Sequence, residues 1–177
     1  MRLENGRITL RSASAGDAER LAEWWNDGRV MAHAGFPNGL GTTAEKIAAS
    51  LAADSDGTRR RLILEFDGAA IGEMNYGITD GAAEIGIKIC DPSMRERGVG
   101  KAALSMLIAE LFRMGCGKIT LDTSLSNRRA QHVYERLGFR RLRVNVDSWE
   151  DQLGRMQSSV DYELTPENFV NFAEQAI

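Results

Sequence analysis

A strand, a glycine-containing loop, a long helix and a second strand follow one another along this chain, and this order constrains its fold most strongly. Residues 83–90 place three isoleucines at every second position, which predicts a strand, and Asp91-Pro92 ends it. Residues 118–123 predict another strand. The helix between them is predicted from apolar residues at helical spacing: Leu104, Leu107, Ile108 and Leu111. Because two strands joined through a helix usually pair in parallel, we expect a parallel pair here.

The rest of the chain predicts a single α/β domain over residues 1–177. Further strands are predicted at residues 7–11, 61–66, 69–76, 142–146 and 159–164, with hairpin turns at Asp67-Gly68 and Asp80-Gly81. Further helices are predicted at residues 18–25, at 44–51 behind a Thr42 cap, at 127–137 behind an Asn127 cap, and in the tail from Glu167. The expected architecture is a mixed, twisted sheet with helices on both faces.

Charge and composition exclude several classes of protein. The net charge is −3, from 22 basic and 25 acidic residues, so a general affinity for nucleic acid is not expected. Cys90 and Cys116 make no disulfide framework, and His33 and His132 lack ligand-type companions, so no metal is expected. Residues 1–12 contain no apolar signal core, and no apolar run approaches the roughly 18 residues of a membrane span. A cytoplasmic protein is expected, as a monomer or a homodimer.

The loop before the long helix has the chemistry of a diphosphate-binding site. The first turn of a helix carries N–H groups without partners and the positive end of the helix dipole. Gly98 and Gly100 remove side chains that would keep a phosphate from that backbone. Arg95, Arg97 and Lys101 add local positive charge to a chain that is acidic as a whole.

Two well-known nucleotide-binding motifs fit this loop less well. The Walker loop is excluded, because Arg95 and Ala102 stand where it needs glycine and serine or threonine. Residues 98–103 match the G-x-G-x-x-A form of the dinucleotide fingerprint, and Asp122 lies at a suitable distance for a ribose contact. That fingerprint, however, starts directly at the end of its strand, whereas residues 91–97 intervene here.

A third motif matches better. Arg95-x-x-Gly98-x-Gly100 resembles the Q/R-x-x-G-x-G/A signature of the GCN5-related N-acetyltransferases (GNAT), and residues 127–139 resemble the segment that follows it in that superfamily. Three other segments resemble its ribosomal-protein-acetylating, RimJ/RimL-like branch: Leu10-Arg11 with Asp17, residues 24–27, and residues 160–164. The resemblance spans nearly the whole chain.

The resemblance implies a sheet of about seven mostly antiparallel strands whose central parallel pair splays apart. It also implies acetyl-CoA as co-substrate, without a metal. The diphosphate is expected at Arg95 and on the backbone of Glu96, Arg97, Gly98, Val99, Gly100 and Lys101. The pantetheine arm and the thioester carbonyl are expected at the backbone of Lys88, Ile89 and Cys90, with Asn127 as a further cofactor contact.

The same resemblance implies catalytic roles. Tyr134 matches the tyrosine that protonates the departing thiolate. Asp122 and Glu84 both remain candidates for the base that deprotonates the acceptor amine, and a base is not required in every case. Trp24 and Trp25 face different ways on their helix, so one of them is expected in the core and the other in the acceptor pocket.

These residues predict an N-acetyltransferase in which a primary amine attacks acetyl-CoA directly within a ternary complex. The acceptor is either a protein N-terminus or a small-molecule amine. Two alternatives stay open: a non-catalytic acyl-CoA sensor on the same fold, and an NAD(P)-binding protein.

Overall fold

A computed structural model of the chain describes residues 1–173. It contains five α-helices within that range: α1 (Ala18–Asn26), α2 (Gly28–Met31), α3 (Ala44–Leu51), α4 (Val99–Arg113) and α5 (Arg128–Arg136). The strands are β1 (Arg2–Asn5), β2 (Ile8–Ser12), β3 (Arg59–Phe66), β4 (Ala69–Thr79), β5 (Ala82–Ile89), β6 (Lys118–Ser124), β7 (Arg140–Glu150) and β8 (Met156–Leu164). None of the helices described is long and apolar enough to cross a membrane.

All eight strands form one mixed sheet, in the order β1-β2-β3-β4-β5-β6-β8-β7. Every neighbouring pair is antiparallel except β5 and β6, which are parallel as predicted. These two strands pair only through Ala82 with Lys118, Ala83 with Ile119 and Glu84 with Thr120. Beyond that point β5 and β6 continue without pairing to each other, so the sheet opens at its centre.

Helices pack on both faces of the sheet because the strands alternate. On β3, Leu62 and Leu64 join the core that contains α4, whereas Ile63 joins the core beneath α1 and α3. Helix α4 buries a wide, mostly apolar face: Val99, Ala102, Ala103, Leu104, Ser105, Met106, Leu107, Ile108 and Leu111. This burial fixes where α4 begins, and therefore where its first N–H groups point.

The structure differs from the sequence prediction in a few elements. It has eight strands rather than about seven, because residues 2–5 form a hairpin with β2 through a turn at Gly6. Helix α3 is capped by Thr43, whose hydroxyl accepts the N–H of Lys46, and not by Thr42. The predicted helical tail is wrong up to residue 172, where only one 3-10 turn forms; residues 174–177 lie outside the described part.

Candidate active site

The loop between β5 and α4 has an unusual backbone. Asp91 starts it by accepting the N–H of Ser93 at 2.8 Å, which fixes a 3-10 turn over Pro92–Met94. Glu96 and Gly98 then take left-handed conformations, with φ of 62° and 79°. Alternation of this kind turns successive N–H groups toward one side and forms an anion-binding concavity.

Six successive main-chain N–H groups are available in this loop. None of those from Glu96 to Lys101 donates a hydrogen bond to any of residues 1–173; the next N–H, of Ala102, begins the helical pattern by donating to the carbonyl of Gly98 at 3.1 Å. The groups lie at the positive end of the 15-residue helix α4. They suit a diphosphate, which accepts several hydrogen bonds at once.

Arg95 and Arg97 have different surroundings. The guanidinium of Arg95 donates to the carbonyl of Ile89 at 3.3 Å and lines the cleft, so it ties the loop to the end of β5. Arg97 instead lies over the ring of Phe66 at 5.7 Å and is not part of the cleft wall. Val99 is fully buried in the core. The side chains of Arg97 and Val99 therefore do not reach the cleft, and only their main-chain groups can contact a ligand there.

The other charged groups of the loop make contacts across its rim. Glu96 forms an ion pair of 2.8 Å with Arg129 on α5, with both side chains exposed. The ammonium of Lys101 lies 4.0 Å from the ring centroid of Phe172. These contacts link the start of α4 to α5 and to the C-terminal segment.

One cleft of about 1200 Å³ connects the glycine loop with the opposite face of the sheet through the gap between β5 and β6. It collects most of the residues predicted to form the site: Trp25, Glu84, Lys88, Ile89, Arg95, Glu96, Gly98, Gly100, Lys101, Asp122, Asn127 and Tyr134. Cys90 is not among them. Its N–H donates to the carbonyl of Ile71 at 2.9 Å, and burial raises the pKa of its thiol to about 12.

Asn127 is both a helix cap and a cleft residue. Its side-chain oxygen accepts the N–H of Ala130 at 3.2 Å, which starts α5 as predicted. The amide nitrogen of the same side chain donates to none of residues 1–173, and the residue lines the cleft. That nitrogen is therefore available to a ligand.

Tyr134 is positioned by an aromatic cluster. Its ring packs edge to face against Phe139 and Tyr162, each with a centroid distance of 5.8 Å. The side chain is 7% exposed, borders the cleft and forms no hydrogen bond within residues 1–173. Burial, with the charge of Asp122 adding to it, raises the pKa of Tyr134 to about 12. The hydroxyl therefore keeps its proton at neutral pH.

The two candidate bases lie on the sheet face opposite α4. Asp122 on β6 is the register partner of Asp161 on β8. The surrounding protein displaces enough water from Asp122 to raise its pKa, and the charge of Asp161 raises it further. Glu84 lies on β5 opposite Thr120, on the same face and with its side chain exposed. The structure thus brings both carboxylates to the cleft and leaves the choice between them open.

Asp122→Asn is expected to raise the melting temperature slightly at pH 7. A raised carboxyl pKa means that the charged form is disfavoured in the folded state, so this group costs stability as pH rises through its titration range and costs none below it. The gain should be about 1–2 °C, typical of a mild surface substitution, and should vanish near pH 3. Thermal denaturation at both pH values measures this gain, with Glu84→Gln as the matched control. A lower melting temperature for Asp122→Asn at pH 7 would contradict a raised pKa of Asp122.

The two tryptophans of α1 have different surroundings, and the predicted role of one of them in an acceptor pocket stays a prediction. Trp25 lines the cleft, and its Nε1 donates to Oε1 of Glu73 at 2.8 Å. The guanidinium of Arg61 stacks on the Trp25 ring, 4.5 Å from its centroid. Trp24 is not among the residues that line the cleft, and it packs against the core beneath α1 and α3, which Trp25 also contacts.

Glu73, which the sequence reading missed, organises this wall of the cleft. It lies on β4, is 1% exposed, and accepts hydrogen bonds from Trp25, Arg61 and Lys88, the last at 3.2 Å. Burial alone would raise the pKa of Glu73, but the charges of Lys88 and Arg61 outweigh it and hold the pKa below its ordinary value. The sequence does contain a signal for this residue, because Glu73 is a charged residue among the mostly apolar residues of the strand predicted at residues 69–76.

Comparison with known proteins identifies the family. A model of the acetyltransferase (GNAT) domain matches residues 7–140. The chain belongs to the GNAT acetyltransferase family. The predicted superfamily is thereby confirmed, and with it the class of enzyme.

Individual relatives agree with this family. A segment of 59 residues is 30% identical to N-alpha-acetyltransferase 30 of Dictyostelium discoideum and covers 33% of this chain; the match spans only 32% of that relative's length. The structure of spermidine N-acetyltransferase from Vibrio cholerae, in complex with CoA and spermine, has a TM-score of 0.80 at 21% identity over 94% of this chain and 100% of that one. Ribosomal-protein-S5-alanine acetyltransferase from Vibrio fischeri has a TM-score of 0.81 at 16% identity, over 96% and 99% of the two chains. Both structures share the fold of this chain. The second is, by its name, a ribosomal-protein acetyltransferase, the kind of enzyme that the sequence resembles.

Proposed function

We propose that this GNAT protein transfers an acetyl group from acetyl-CoA to a primary amine by direct attack in a ternary complex. One observation carries the proposal: a single cleft joins the six unpaired N–H groups of residues 96–101 to the gap between β5 and β6, where Tyr134 lies. Anion-binding amides at one end and a proton donor at the other suit a long thioester that carries a diphosphate. The proposed setting is the cytoplasm, with the protein as a monomer or a homodimer.

The residues present fit such a co-substrate. The N–H groups of the glycine loop would hold the diphosphate, and the free amide nitrogen of Asn127 would add a donor from α5. Lys88 and Ile89 line the passage between the strands. The N–H of Cys90 is already used by Ile71, so we assign it a structural part and leave the oxyanion contact to the main chain of the preceding residues.

The reaction needs two proton transfers that side chains of this protein can perform: one to the leaving thiolate and one from the acceptor ammonium. When bound, acetyl-CoA supplies the acetyl group as an activated thioester. Tyr134 holds a proton at Oη, which we propose it donates to the leaving thiolate. The acceptor ammonium must lose a proton before its nitrogen attacks, and Asp122 or Glu84 accepts it, directly or through water. The acceptor is a protein N-terminus or a small amine.

A thiol-release assay with acetyl-CoA across a panel of peptides and small amines tests this function. Release that depends on an amine is the expected result. CoA binding without release in the presence of any amine would favour the non-catalytic sensor. Thermal-shift measurements with acetyl-CoA and with NAD(P) distinguish the third possibility, because only a bound ligand raises the melting temperature.

A further inference from the structure

An open stretch of the cleft floor separates side chains of opposite charge. Arg59 on β3, Gly77 on β4 and Glu84 on β5 are register neighbours across the sheet, and all three line the cleft. Residues in register project from the same face, and neighbouring strands lie about 4.8 Å apart. The backbones that carry the basic and the acidic side chain are therefore about 10 Å apart.

Gly77 has no side chain, so the surface between the two charged residues is recessed. A Cβ placed on Gly77 would meet no atom within 4 Å, so the space above it is open. We call each set of register neighbours across these strands a row. In the next row the space above Gly86 is already filled by the side-chain amide of Asn75. The hollow between the charged residues is thus confined to the row of Gly77.

The acidic side of this hollow has no counter-charge of its own. Neither Glu84 nor Asp122 forms an ion pair with a side chain of residues 1–173, although Asp161 on the next strand is paired with Arg143. Tyr134 borders the same cleft from the α4 side of the sheet, and its hydroxyl forms no hydrogen bond in the described part of the chain. Together they leave room for a bound ammonium and its reacting nitrogen.

The basic side is only partly satisfied. Arg59 contacts Asp54 through Nε at 3.3 Å, but 58% of its side chain remains exposed, so part of the guanidinium can take another anion. Arg61 lies two residues further along β3, on the same face of the sheet. It forms an ion pair with Glu73 and adds a second positive charge to this wall. A polyamine bound at Glu84 would have to extend a second ammonium toward these arginines.

Resting on the proposed acetyl transfer, we propose that the acceptor is a peptide or protein N-terminus with an acidic side chain at its third residue. Its ammonium is bound on the side of Glu84 and Asp122, and its carboxylate on the side of Arg59, with the backbone crossing above Gly77. An extended chain advances about 3.3 Å per residue, so three residues span the separation of about 10 Å. A free amino acid is too short to reach both sides.

Two amidated peptides that differ only at the third residue, aspartate or lysine, test this specificity, with spermidine as a third acceptor. Blocking the C-terminus ensures that the acidic side chain is the only difference in anionic groups. We expect kcat/KM to be about tenfold higher for the aspartate peptide, the size of one moderate ion-pair contribution. Arg59→Gln should abolish this preference mainly through KM, with kcat and affinity for CoA unchanged.

Gly77→Val tests the path of the backbone without relying on charge. Valine suits a strand and meets open space at this position, so the melting temperature should not fall, whereas KM for the aspartate peptide should rise about fivefold or more. Gly117→Val, at an open glycine outside the cleft, and Arg140→Gln, at an exposed arginine on β7, are the matched controls. Both controls should behave as the wild type.

Specific outcomes overturn the inference. Equal kcat/KM for the two peptides, a preference for spermidine, or an unchanged KM in a well-folded Gly77→Val would each do so while leaving acetyl transfer intact. Absence of thiol release with every acceptor would instead overturn the proposed transfer, and this specificity with it.

Discussion

Tyr134→Phe is expected to lower kcat by about 10²–10⁴-fold, the usual contribution of a positioned general acid. The hydroxyl retains its proton because burial raises the pKa of Tyr134 to about 12, and the removed group has no hydrogen-bond partner in residues 1–173. The melting temperature and the affinity for CoA should therefore stay close to those of the wild type. Steady-state kinetics, calorimetry and thermal denaturation on the same preparation measure the three quantities.

Tyr162→Phe is the matched control for this substitution. Tyr162 is fully buried, and its hydroxyl donates to Glu135 at 3.1 Å, away from the main cleft. Its loss should cost about 1 kcal/mol of stability and leave kcat nearly unchanged. If Tyr134→Phe kept full turnover, another proton donor would have to be found. The wild-type rate should also lack an alkaline decline from Tyr134 until pH nears 12.

Glu73→Gln is expected to destabilise the protein by about 3 kcal/mol, which corresponds to a decrease in melting temperature of roughly 6–12 °C. The substitution leaves Arg61 and Lys88 beside a neutral group at a site that is 1% exposed. The value is at the lower end of the range for buried ion pairs, because 24% and 31% of the two basic side chains still reach solvent. Chemical denaturation measures the free energy of unfolding.

The pH dependence of the same variant follows from the lowered pKa of Glu73. A carboxyl group whose pKa is lower in the folded than in the unfolded state stabilises the fold above its ordinary pKa of about 4.3. That stabilisation is lost as the pH falls through the folded value, so the gap between wild type and Glu73→Gln should be full at pH 7 and shrink in acid. Glu4→Gln, at an exposed pair with Arg2, should change stability by less than about 0.5 kcal/mol. A pH-independent gap would contradict the role of the charge.

The cleft end at the glycine loop was predictable because it is built from consecutive residues. Backbone N–H groups of residues 96–101 belong to one short segment, and a helix start exposes them wherever it folds. Asn127 capping α5 is equally local, since its bond spans three residues. The sequence also determined the parallel pair, because a helix connects its two strands.

Only the tertiary structure decided the end of the cleft that we propose for the acceptor. Glu73 meets Arg61 and Lys88 because β4 lies between β3 and β5 in one particular register, and a shift of one residue would turn its carboxylate to the other face. The row of Arg59, Gly77 and Glu84 depends on the same register across three strands. Such contacts join residues far apart in the chain, so no local pattern contains them, and they are fixed only when the packing of α1, α3 and α4 sets which face of each strand is buried.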